Sequence, residues 1–369
     1  MKITRIRVHH LEASLSRRFG WSLGWTDRRT ATLVEVETSD GLKGWGDGRA
    51  GRDPSLALGR SPFEAASIWE AQRPPMVLQS RRGEAICGGL DTALWDLQAK
   101  VVGLPLHRLM GHTHRSRVQP YLTALYRQDW SDFASGLAEE ALAWKAKGYR
   151  TLKMKIGYGP ELDVRLVRAV RAAIGDDVAL GVDANCAYDA GTAIALARRL
   201  EAFDLAWWEE PLLADDLDGY QRLRASTAIP LASGETMGAD ALVRDYIAPR
   251  AVAIVQPEIE LIGITGAMKV SHAAWTQKLR VIPHNWGTAV RTAAILHWMA
   301  AQPPLTEALA APAVLFEFDQ TESPFRDAVI HERIEPGDDG LIAVPTAPGL
   351  GVTVDEDAVA RFRVKLEEY

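Results

Sequence analysis

Cysteine is nearly absent from this chain. Cys87 and Cys186 are the only two. That excludes a disulfide framework and leaves no zinc-type spacing. So few thiols fit a reducing compartment, and a cytoplasmic location is expected. No apolar run approaches the roughly 18 residues of a membrane span. The opening Met1-Lys2-Ile3-Thr4-Arg5 alternates charged and apolar residues and lacks the apolar stretch of a signal peptide. No block of like charge forms a tail, and no segment is of low complexity. A net charge of −6 lacks the basic balance of nucleic-acid binders. No Gly-x-Gly-x-x-Gly turn follows a strand-like run, so the usual dinucleotide signature is missing. These absences leave a soluble protein with neither nucleic-acid nor membrane partners.

What is present is ordinary globular material: 369 residues, 47% hydrophobic and 24% charged. A chain of this length buries a large core without staples. Residues 2–12 alternate like a strand. Thr30 to Glu37 and Leu42 to Gly46 flank Ser39-Asp40-Gly41, a hairpin turn signal. Helical segments follow around residues 62–78 and 85–102, the second with Leu90, Ala93, Leu94 and Leu97 at helical spacing. Gly103-Leu104-Pro105 stops it. Residues 1–120 therefore read as an α+β unit.

From 121 to 334 the pattern repeats. Helices over 133–147, 161–174 and 190–203 alternate with strands at Arg150 to Ile156, Val178 to Asp183 and Ala206 to Glu209. Further strands fall near 230–235, 251–258, 279–284 and 313–318. About eight βα repeats predict an α/β fold of the (β/α)₈, TIM-like class rather than a doubly wound sheet. The segment 335–369 opens on the turn cluster Pro336-Gly337-Asp338-Asp339-Gly340 and is expected to return and complete the N-terminal unit.

Polar residues end these apolar runs. They are Lys155 (with Lys153 two residues before it), Asp183, Glu209, Glu235, Glu258, His284 and Glu317. From Lys155 onward they lie 28, 26, 26, 23, 26 and 33 residues apart. Each step is about one βα unit of order 30 residues. One polar group thus appears at the C-terminal end of each successive strand, where barrels keep their active sites. Clustered carboxylates repel unless neutralised, and a hard dication is the natural counter-charge. Lys153 and Lys155 share a strand face. Two ammonium groups beside a dication depress each other's pKa, which would suit Lys155 to general-base work. His284 is the second candidate base, with an ordinary pKa of about 6.5.

These motifs resemble the mandelate racemase-like branch of the enolase superfamily. The likeness runs over nearly the whole chain. It includes Gly89-Leu90-Asp91-Thr92-Ala93-Leu94-Trp95-Asp96-Leu97, Lys153-x-Lys155, and Pro283-His284-Asn285-Trp286-Gly287. The resemblance implies Mg²⁺ held by Asp183, Glu209 and Glu235. It implies Lys155 as a base on one substrate face and His284 as acid or base on the other. Lys153 would touch the substrate carboxylate, Asn185 the substrate, and Glu317 the developing enolate. A capping domain from the N-terminal segment and C-terminal tail would supply a flexible lid loop at 14–30 and 47–54. Arg17, Arg18, Trp21, Trp25 and Arg28 are candidates there to greet a polyol acid. A homo-oligomer, dimer or octamer, is implied.

One departure stands out: Glu258 occupies the position where the family has an Asp beside the histidine. It orients His284 or touches substrate instead. Phe316-Glu317-Phe318-Asp319 with Pro324-Phe325-Arg326 looks most like acid-sugar dehydratases and the galactarolactone cycloisomerase group. The implied reaction is α-proton abstraction from a sugar acid or lactone, then β-elimination to a 2-keto acid. A racemase or epimerase using the same bases is the alternative, and a catalytically inactive barrel a remote one.

Overall fold

The computed structural model describes residues 1–74, 86–111, 113–306, 308 and 313–369. The chain opens with strands β1 (Ile3–Trp21), β2 (Gly24–Thr38) and β3 (Lys43–Asp47). β1 buries Ile3, Ile6, Val8 and Leu11 in its first half. Beyond residue 12 its next buried apolar residue is Phe19. The outer half of the β1–β2 hairpin therefore projects past the local core. The expected lid loop at 14–30 is a correction: it is paired strand, with Ser14 opposite Arg28 and Trp21 opposite Gly24.

Helices α1 (Ala65–Ala71), α2 (Gly88–Val102) and α3 (Leu106–Leu109) follow. The helix expected over 62–78 is shorter. Ser61 caps a 3₁₀ turn at Pro62–Glu64, and α1 ends at Ala71. Residues 75–78 of that expectation, and residue 85 of the next, lie outside the described residues. α2 opens on two glycines for a steric reason. A Cβ on Gly88 would lie 2.0 Å from the Ile259 carbonyl oxygen, and one on Gly89 would lie 2.4 Å from that of Gly48. Only bare backbone lets α2 press this closely on its neighbours.

Eight parallel strands then alternate with helices. They are β4 (Arg117–Thr123), α4 (Phe133–Ala146), β5 (Thr151–Lys155), α5 (Pro160–Ile174), β6 (Ala179–Asp183), α6 (Ala190–Leu200) and β7 (Leu205–Glu209). Next come α7 (Leu217–Arg224), β8 (Leu231–Ser233), α8 (Ala239–Ala241) running into a π-helical turn at Leu242–Ile247, and β9 (Ile254–Val255). Last are α9 (Ile259–Thr276), β10 (Arg280–Val281), α10 (Ala289–Ala301) and β11 (Leu315–Asp319). The hydrogen-bonded order is β10-β9-β8-β7-β6-β5-β4-β11.

The sheet curls. Tyr121, Trp207, Ala232, Ile254 and Ile282 form one buried cluster with Leu315 against it. Side chains from β4, β7, β8, β9, β11 and the end of β10 meet there only if the sheet wraps around them. Among the described residues no ladder joins β10 to β11. Asn285 spans that seam instead. Its Nδ2 donates to the Glu317 carbonyl at 3.1 Å and its backbone N–H to Glu317 Oε2 at 2.9 Å. This is a TIM-like α/β fold in which turns, not a helix, follow β11.

The tail adds β12 (Ile342–Ala343), antiparallel to β4, then α11 (Glu356–Phe362) and β13 (Arg363–Glu368). β13 pairs antiparallel with β1, giving a capping sheet ordered β13-β1-β2-β3. No described helix is long and apolar enough to cross a membrane.

Candidate active site

Register brings the lysines and acids together. Lys155 lies opposite Asp183 on β6, and Lys153 is flanked by Thr123 on β4 and Gly181 on β6. Lys153 Nζ sits 2.6 Å from Glu209 Oε1, 2.7 Å from Glu317 Oε1 and 3.6 Å from Asp183 Oδ2. Lys155 Nζ donates to Asp183 Oδ2 at 2.5 Å and to Asn185 Oδ1 at 2.9 Å. Asp183 Oδ1 accepts from the Asn185 backbone N–H at 2.9 Å. Glu209 Oε2 accepts from Gln256 Nε2 at 2.7 Å and Trp207 Nε1 at 3.1 Å. Thr123 Oγ1 donates to Glu317. All these side chains are buried.

The second candidate base, His284, stands on the other flank. Glu258 and His284 face each other across an isolated parallel bridge beyond β9 and β10. His284 Nδ1 hydrogen-bonds Glu258 Oε2. Its Nε2 faces Glu235 Oε2 at 3.7 Å and Glu317 Oε2 at 4.0 Å. Glu258 thus reaches the imidazole despite its extra methylene.

The backbone around the mouth is strained. Leu125, Asn185, Cys186 and Glu210, just past β4, β6 and β7, have φ of 59°, 44°, 62° and 41°. Such left-handed non-glycine residues collect where function over-determines geometry.

Electrostatics follow from five carboxylates (Asp183, Glu209, Glu235, Glu258 and Glu317) sharing one mouth. Burial, and repulsion from Asp183, Glu317 and Glu235, raise Glu209 to about 7 despite the pull of Lys153. Glu317 is different. Burial pushes it up, but Lys153 and His284 bring it down to about 2. Burial favours neutral Lys155, yet the Asp183 carboxylate wins and its pKa is raised. Each lysine ammonium lies against a carboxylate, and this raises both lysines despite their burial. For His284, burial opposes charge, and Glu235, Glu317 and Glu258 outweigh it, raising the ring to about 10.

Among the described residues no three His, Cys, Asp or Glu side chains already converge as metal ligands do. Lysine ammonium groups hold Asp183 and Glu209 instead. The donor chemistry nonetheless fits a hard dication. Asp183, Glu209 and Glu235 supply only oxygen, and burial together with the neighbouring carboxylates disfavours an uncompensated anion at Glu209.

The hairpin roofs this mouth. Its tip touches residues just past three separate strands. Ser22 Oγ donates to the Ala184 carbonyl at 2.8 Å, and Trp21 lies 6.5 Å from Tyr126 and 6.0 Å from Trp286. Of the polar lid candidates, Arg18 is exposed and paired with Asp129, and Arg28 is exposed and paired with Glu12 and Asp27. Arg17 is exposed too. Sequence reasoning missed Thr123 and Gln256. Extending the strand-end rule to β4 would have found Thr123. Gln256 shares the alternation of Glu258 two residues on.

Acids and bases at strand ends, beneath an antiparallel cap, define an enolase-type enzyme. The chain belongs to the mandelate racemase/muconate lactonizing enzyme family of the enolase superfamily. The family model described as "Enolase C-terminal domain-like" matches residues 136–358, and the mandelate racemase/muconate lactonizing enzyme N-terminal domain matches 58–111. The chain is 36% identical to a D-galactarolactone cycloisomerase from Agrobacterium fabrum, over 99% of both chains. It is 32% identical to an arabinonate dehydratase from Saccharolobus solfataricus, over 90% of both. The crystal structure of a 3,6-anhydro-D-galactonate cycloisomerase from Zobellia galactanivorans superposes with a TM-score of 0.84 at 33% identity, covering 99% of this chain and 100% of that one.

Proposed function

We propose that this protein removes the proton alpha to a carboxylate of a sugar acid or sugar-acid lactone and then expels a β-oxygen, giving a 2-keto acid. Asp183, Glu209 and Glu235 would hold magnesium, which when bound supplies a Lewis acid for the charge that develops on the substrate carboxylate. Lys153, held between Glu209 and Glu317, adds a buried positive charge beside it. Lys155 takes the α-proton. It can do so only when neutral, so the Asp183 charge that now holds its proton must be engaged elsewhere. Asn185 keeps Nζ aimed while that happens. His284 Nε2 donates a proton to the departing oxygen, with Glu258 fixing the ring through Nδ1. The resulting enol tautomerises to the keto acid.

One observation carries this reading. Two bases rise from β5 and β10, strands separated by β11 and β4 on one side and by four strands on the other. A substrate seated between them meets a base on each face. Full-length likeness to a lactone cycloisomerase and to sugar-acid dehydratases supplies the substrate class. The test is a screen of aldonic, aldaric and lactonised sugar acids with magnesium, reading 2-keto product with semicarbazide. A positive substrate is expected. Protein that binds magnesium yet yields no keto product, but washes deuterium into unchanged substrate, would replace elimination with epimerisation.

A further inference from the structure

Glu258 has two duties. It is the N-cap of α9, with Oε1 accepting the Glu260 backbone N–H at 2.8 Å. Its Oε2 holds His284 Nδ1 and also accepts from Arg291 Nη1 at 3.3 Å. Arg291 lies on α10 and is only 4% exposed. Its Nη2 donates to Asp47 Oδ1 at 2.6 Å and to Glu260 Oε2 at 2.8 Å, and its Nε reaches Asp47 Oδ1 at 3.2 Å. Asp47 is the last residue of β3, in the cap. Its other oxygen accepts the Thr288 backbone N–H at 2.6 Å, at the start of α10. The backbone closes the same joint, since Arg49 N–H donates to the Glu260 carbonyl at 3.1 Å.

One guanidinium is therefore shared by three carboxylates: one from the cap, one that orients the imidazole, and one on α9. A planar fork with five donors can serve three acceptors, whereas a lysine offers one point charge. Without it, Asp47 would be a buried anion short of a cation, and Glu258 would keep only the imidazole. We propose that Arg291 is a positioning residue: by bridging Asp47 of the cap to Glu258, it fixes the His284 ring, so the geometry on this face depends on the cap being docked. The proposal deepens the acid–base role assigned to His284 above and rests on it for its catalytic meaning.

The test reads the ring directly, in magnesium-loaded protein labelled with ¹⁵N-histidine. His284 is assigned by its loss in His284→Gln. In the unaltered protein its Nδ1–H gives one persistent signal. Arg291→Gln is expected to lose that signal to solvent exchange, Asp47→Asn to weaken it, and Arg291→Lys to recover it in part. Arg73→Gln, which removes a separate cap-to-barrel ion pair with Asp240, is expected to leave it intact. With the substrate found by the screen, Arg291→Gln should lower kcat on the order of 10–100-fold, as loss of an outer-shell partner does, with KM unchanged. An unaltered His284 signal in Arg291→Gln overturns the proposal, even if the protein melts earlier. So does an equal loss in Arg73→Gln, which would mean general loosening. If Arg291→Gln does not fold, Asp47→Asn decides, since it keeps the guanidinium and removes only its cap anchor. The ring signal is read whether or not any sugar acid turns over, so failure here is distinct from failure of the proposed reaction.

Discussion

Lys155 and His284 flank one mouth, and the chain holds them by different means. Lys155 grows from a strand laddered on both sides, in register with Asp183, and its ammonium donates to Asp183 and Asn185, both barrel residues. His284 stands past β10, a strand of two residues, on an isolated backbone bridge, and its ring is held by side chains: Glu258, Arg291 and, through them, Asp47 of the cap. Ladder hydrogen bonds position a residue whatever the cap does. A chain of buried ion pairs positions it only when every member is present. The lysine flank is preassembled, and the histidine flank is completed by docking.

The largest expected effect lies on the lysine flank. Lys155→Ala should cost on the order of 10³–10⁴ in kcat, and His284→Asn about 10², within the range for a positioned acid or base. Equal rates for His284→Asn and the unaltered protein would remove the acid role, and a larger loss there than at Lys155 would exchange the two assignments. Next is Arg29 on β2, a second tie between the cap and the barrel end. It pairs with Asp319 at 2.9 Å, with both side chains 2% exposed, and covers the Trp286 ring at 3.9 Å. Arg29→Ala leaves buried Asp319 only its longer Arg326 pair at 3.6 Å and should cost about 3 kcal/mol in urea denaturation, the low end for a broken buried pair. A cost under about 1 kcal/mol, the surface-pair value, would mean that the cap is held elsewhere.

The smallest effect is set by pH. His297 lies on α10, the helix that carries Arg291. Burial lowers its pKa to about 4, helped by His107, although its Nε2–H donates to the Leu350 carbonyl at 3.0 Å. His297 Nδ1 accepts from the His107 backbone N–H at 3.3 Å, so protonation there breaks a contact. A depressed histidine stabilises the fold fully above about pH 6.5, its ordinary value. That contribution falls as pH drops towards 4 and is at most about 3 kcal/mol. His297→Gln should flatten the stability profile between those limits. An unchanged acid slope would place the sensitive group on another element.

Much of this was legible in the sequence because it is periodic. Strand ends recur once per βα unit, so spacing alone marked Asp183, Glu209, Glu235, Glu258, His284 and Glu317, and the structure sets the first five at or just past a strand end and Glu317 two residues before the end of β11. The curled parallel sheet followed from the same count. What escaped is not periodic. Arg291 meets Asp47 across 244 positions, and Arg29 meets Asp319 across 290, with no local pattern to announce either. The loop at 14–30 was an implication of the family resemblance, and Arg17, Arg18, Asp27, Arg28 and Arg29 interrupt the alternation that would have signalled a strand. Alternation records a buried face, and this part of the hairpin has little core beneath it.

The seam between β10 and β11 has a further consequence. Among the described residues seven of the eight joints in the ring are laddered, and Asn285 spans the eighth. A hoop made this way can change its girth at that joint without breaking a backbone hydrogen bond between strands. His284 is mounted on one lip of the joint and Glu317 on the other, with Asn285 Nδ2 as the hinge pin between them. The flank tied to the cap is thus also the one where, among the described residues, no strand ladder closes the hoop, whereas Lys155 sits on a strand laddered on both sides.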